Sequence, residues 1–105
     1  MRRFEVDSEQ AQAFDQVDNA PHGARISHEL LSNAAAYEAA KTYEIYVAQS
    51  GHGPASDTGV KWTLAILVSA SVDRLVETKG LEYVDKEKAK HDGILQVEEA
   101  RARNE

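Results

Sequence analysis

Four side chains in this sequence are of the types that bind a transition metal or move a proton: His28, Asp73, Glu77 and His91. Imidazole and carboxylate are accepted ligands for such a metal, and a carboxylate that orients an imidazole forms an acid–base pair. His28, Asp73 and His91 are therefore the candidates for catalysis, and His28, His91, Asp73 and Glu77 the candidates for holding a metal or a haem. The local spacing argues against a standard metal motif. A Glu-x-x-His pair is absent, and His28-Glu29 runs on into Leu30, Leu31 and Ser32 instead of reaching a second histidine. The competing reading makes Asp73 part of an ion-pair network with Arg74, Lys79 or Lys86, and the histidines surface residues. His22 and His52 stand in segments rich in glycine and proline and read as exposed. No phosphate-cradling glycine loop and no serine elbow occurs. The absence of cysteine excludes disulfides, thiolate ligands and a cysteine nucleophile.

Only the fold can gather residues so far apart in sequence. Residues 7–18 predict a short helix, capped by Asp7 or Ser8 and anchored by Phe4, Val6, Phe14 and Val17. Pro21 and Gly23 then break the chain. A second helix is expected over 27–50, with Ser27 as cap, Ile26 and Leu31 at hydrophobic-staple spacing, and Gly51 as the left-handed stop. Its apolar stripes are Leu31, Ala35, Thr42, Ile45, Tyr46 and, beside it, Leu30, Ala34, Tyr37, Lys41. Glu38 lies between them and needs a partner if buried. The segment 51–59 is a glycine-rich loop in which Pro54 suits a first helical position and Ser56 or Asp57 a cap.

The segment 60–80 reads as the central helix. From Trp62 to Val72 no side is polar, which predicts burial all round, and Asp73, Arg74, Glu77 and Lys79 then bring it to the surface. Lys79-Gly80-Leu81 has the form of a Schellman end. The last helix opens at Asp85 and runs to the end of the chain, with Ala89, Gly93, Val97 and Ala100 on one stripe and Gly93 marking a close crossing or a kink. No segment alternates with period two for long. The fold class is thus all-α, a single domain over 1–105 built as a small antiparallel bundle of three long helices plus a short N-terminal one. Up-down-up topology brings His28, Asp73, Glu77 and His91 to the same end of the bundle.

Net charge is −6 and the isoelectric point about 5.2, so nothing attracts nucleic acid or an anionic membrane surface. The apolar run at 62–72 is too short to span a bilayer, and the N-terminus carries no secretory signal pattern, so a cytoplasmic location is expected.

Three blocks resemble the fungal CipC-like antibiotic-response family, whose members are induced by concanamycin: SHELLSNAAAYEAAKTYE at 27–44, VDRLVETKGLEYVDKEKAKH at 72–91 and AFDQV at 13–17. The stretch from Val47 to Ser71 departs from the family pattern. The resemblance implies a stress-responsive cytosolic protein without an established reaction and supplies no catalytic residues. Two functions are compatible with the sequence. One is a non-catalytic helical protein that acts by association, as a homodimer or with a partner or small apolar ligand, through apolar surface at Trp62–Val68 that four helices leave uncovered. The other is a small haem- or metal-dependent enzyme or ligand carrier, with its pocket at the His28, Asp73 and His91 end and Leu31, Tyr37, Glu38 and Trp62 as ligand-binding candidates.

Overall fold

The computed structural model describes residues 8–51, 53, 56–81 and 84–103. It contains α1 (Glu9–Asp18), α2 (His28–Ser50), α3 (Asp57–Lys79) and α4 (Lys86–Arg103), with no strand among the described residues. Phe4, Val6, Asp7, His52 and Pro54 lie outside them.

Each helix begins where a side chain satisfies an orphan backbone donor. The Oγ atoms of Ser8, Ser27 and Ser56 accept from the N–H groups of Ala11, Leu30 and Gly59 at 3.1, 3.1 and 2.9 Å. Asp85 Oδ1 does the same for the Lys88 N–H at 3.1 Å. A cap of this kind contributes about 1 kcal/mol. The stops are equally local. Gly51 and Gly80 take left-handed φ of 80° and 64°, and the Leu81 N–H reaches back to Val76 O at 3.0 Å, which folds Leu81 into the core as expected of a Schellman end.

The hub of the bundle is α2, not the segment at 60–80. It packs against all three other helices, and it can do so because five of its eight buried residues are alanine. Small side chains let neighbouring backbones approach. A close approach occurs at Gly93 on α4, where a Cβ would stand 2.8 Å from Val68 Cγ1 of α3 and 3.4 Å from Ser32 O of α2. Gly93 therefore marks a close crossing. Ala89, Val97 and Ala100 are buried along the same stripe. A chain of hydrogen bonds ties the helices together across this crossing. Gln10 of α1 donates to Gln96 Oε1 at 3.1 Å, Gln96 donates to the buried Ser32 Oγ at 3.2 Å, and Ser32 donates to Glu29 O at 2.9 Å.

Two sequence expectations are corrected by this packing. The helix at 60–80 is not buried all round over its first half: Trp62 is 70% and Ile66 53% exposed. The reason is its place in the bundle, since α3 packs mainly against α2 and α4 and, among the described residues, no third helix packs closely on its remaining side. On α2, Leu31 and Ala35 are buried, whereas Thr42, Ile45 and Tyr46, further along the same stripe, are exposed. Helix α1 covers the first half of α2, where Phe14 meets Tyr37 with ring centroids 5.6 Å apart and Asn33 reaches Glu9. Among the described residues no aromatic contact or side-chain hydrogen bond from α1 reaches Ile45 or Tyr46.

Candidate functional site

At the end of the bundle where α2 begins, the helices deliver His28, Asp73, Glu77 and His91 to the same region but not to one point. His28 Nε2 lies 3.7 Å from Asp92 Oδ2, and both side chains are about one-third exposed. Asp73 is level with the first turns of α4, as the topology requires, and its Oδ1 lies 3.1 Å from Lys90 Nζ and 3.8 Å from Lys86 Nζ. Glu77 and His91 are exposed. Among the described residues no three histidine or carboxylate side chains gather in a form that could hold a metal ion. Asp92, which His28 does approach, is absent from the sequence reading although a signal existed. The Ala89–Gly93–Val97 stripe fixes the phase of α4, and a residue two positions from Gly93 lies about 200° around the helix from it. That phase turns His91 outward.

The four ligand-binding candidates are also separated. Leu31 is fully buried in the core, and Tyr37 is half-buried against Phe14. Glu38 has a partner: Arg74 of α3 binds it through two nitrogens, with Arg74 Nε donating to Glu38 Oε1 at 3.0 Å. Trp62 stands on the surface. A shallow cavity of about 270 Å³ near the His28 end is lined by Ala24, Arg25, Ile26, Ser27, Leu81 and Val84, none of which the sequence marks as a site residue.

At the other end, the start of α3 is pinned to α4. Arg101 pairs with Asp57, and Lys61 Nζ lies 3.6 Å from the same carboxylate. The hydrogen bond from Arg101 holds the Asp57 carboxyl below its ordinary value of 3.8, with a smaller pull from Lys61. Just beyond this pin lies the open apolar face of α3. Trp62, Ala65, Ile66 and Ser69 line a groove of about 340 Å³ that contains no ionisable side chain.

These features define an all-α bundle with an exposed apolar face on α3. Residues 13–104 match the family described as Virulence factor CipC-like, and the chain belongs to that family. The match starts within α1 and runs through α4. No curated protein and no solved structure matches the chain. No helix among the described residues is long and apolar enough to cross a membrane.

Proposed function

We propose that this member of the CipC-like family is a small cytoplasmic stress-response protein that acts by association, and that the outer face of α3 is its contact surface. The observation that carries the reading is the 70% exposure of Trp62, with Ile66 one turn further along the same face. An indole left in water forgoes the roughly 2–3 kcal/mol that burying a large apolar side chain contributes, and tryptophan is the residue type most enriched among interface anchors. The folded core does not need Trp62, so its position is explained by a partner. The alternative of a haem- or metal-dependent enzyme or carrier at the His28 end has the His28–Asp92 pair in its favour. A Soret band or stoichiometric metal in the purified protein would support that alternative.

Trp62 is the only tryptophan, so fluorotryptophan labelling yields one resonance by fluorine NMR. The resonance is expected to shift or broaden as protein concentration rises or when extract of the organism that makes the protein is added, and to stop responding in Ile66→Glu. A resonance that stays sharp and unmoved under every condition contradicts the proposal.

A further inference from the structure

We infer that the occupant of the α3 groove is a second copy of this chain, laid antiparallel, with Trp62 of each copy packed on Ser69 of the partner and Ile66 on Ala65. This rests on the association reading and names its partner.

Trp62, Ala65, Ile66 and Ser69 follow the i, i+3, i+4, i+7 spacing that places side chains on one helical strip, and they line one groove. Along the strip the sizes run large, small, large, small. Reversing the direction gives small, large, small, large, so an antiparallel copy sets every large side chain against a small one. The spacing itself is symmetric about the point between Ala65 and Ile66, which is where a two-fold axis would pass. Such an interface is isologous, each contact occurring twice. A parallel copy would instead force Trp62 onto Trp62 and leave a gap at Ser69.

Charge selects the same direction. The groove is neutral, but further along α3 follow two exposed acids, Asp73, which Lys90 and Lys86 of α4 approach, and Glu77. In a parallel pair these acids would face their own copies across the seam. In an antiparallel pair they extend past the partner's Trp62 toward the start of its α3, where Lys61 and Arg101 flank the Asp57 carboxylate. A lipid or a small apolar ligand would call for neither the alternation of sizes nor the acids at one end. Four groove residues per copy are few beside the roughly 20–30 a side of a standard interface, so the dimer should be weak and populated only at high concentration.

The chain has no cysteine, so single cysteines report without background. Three variants, Thr58→Cys, Ala65→Cys and Asp73→Cys, are oxidised gently at about 200 μM, a concentration suited to an interface of this small size. The antiparallel pair predicts that Ala65→Cys cross-links to itself. It also predicts that Thr58→Cys and Asp73→Cys cross-link to each other when mixed but not to themselves. Adding Trp62→Glu to Ala65→Cys should cut the yield at least about tenfold, as loss of a central anchor does. Self-cross-linking at positions 58 and 73 would overturn the antiparallel arrangement. A chain that sediments as a monomer at this concentration and cross-links at none of these positions would overturn the second copy altogether. If the fluorotryptophan resonance still moves in extract, the association reading survives that failure; if it does not move, both fall.

Discussion

Helices α2 and α3 have the same length, 23 residues, yet α2 buries eight of them and α3 five. By side chain the opposite would be expected, since α3 carries Trp62, Leu64, Ile66, Leu67 and Val68 in close succession while α2 is rich in alanine. Neighbours decide the outcome. Alanine lets three helices crowd around α2, and the bulkier α3, with two principal neighbours, presents its surplus apolar surface to solvent. Composition states how much a helix could bury, and its place in the bundle states how much it does. On this account α2 serves stability and the outer face of α3 serves association.

Substitutions on the two helices should break that comparison in opposite ways. The largest effect is expected from Leu31→Ala, which empties a fully buried site at the hub and should cost about 3 kcal/mol in chemical denaturation. Gly93→Ala should cost about 1 kcal/mol. The methyl gains helix propensity worth about 1 kcal/mol, but it meets Val68 Cγ1 at 2.8 Å with Ser32 O at 3.4 Å beside it, and overpacking of this kind costs about 1–3 kcal/mol. Combining it with Val68→Ala should destabilise by less than the sum of the two single changes, because the second change removes the clash made by the first. Equal additivity in that double-mutant cycle would mean that the crossing is not where α4 meets α3.

A smaller, pH-dependent effect belongs to the pin at the start of α3. The folded-state pKa of Asp57 is depressed, so its contribution to stability is present above the ordinary value of 3.8 and is lost as pH falls through the lower folded value. Arg101→Ala should therefore be less stable than the parent at neutral pH, with the difference closing as pH falls below 3.8 in thermal melts followed by circular dichroism. A difference that widens on acidification would show that Arg101 acts through another group. The smallest effect on folding should come from Trp62→Ala, within about 0.5 kcal/mol of the parent, as for surface positions that touch little.

The fold was largely legible in the sequence because its punctuation is local. Ser8, Ser27 and Ser56 as caps, Gly51 and Gly80 as stops, and Gly93 at a crossing each follow from backbone chemistry within a turn or two. Burial along α3 was less legible, because an uninterrupted apolar run contains no phase to tell which side has a neighbour. The pairing of the chemical groups was legible only in part. Topology put Asp73 level with the start of α4, but a carboxylate takes whichever cation the side-chain rotamers bring within reach. Asp73 meets Lys90 and Lys86, of which only Lys86 was anticipated. His28 meets Asp92 because both lie on facing sides of α2 and α4, a relation that needed the phase set by Gly93.

The central claim is that the single tryptophan, at the start of the most apolar stretch of the chain, lies outside the folded core. Acrylamide quenching of Trp62 fluorescence in dilute, monomeric protein tests this directly. The account predicts emission typical of indole in water and a quenching rate close to that of the same residue in the unfolded chain. Blue-shifted emission that resists quenching in the monomer would place Trp62 in the core and remove the basis for an association face on α3.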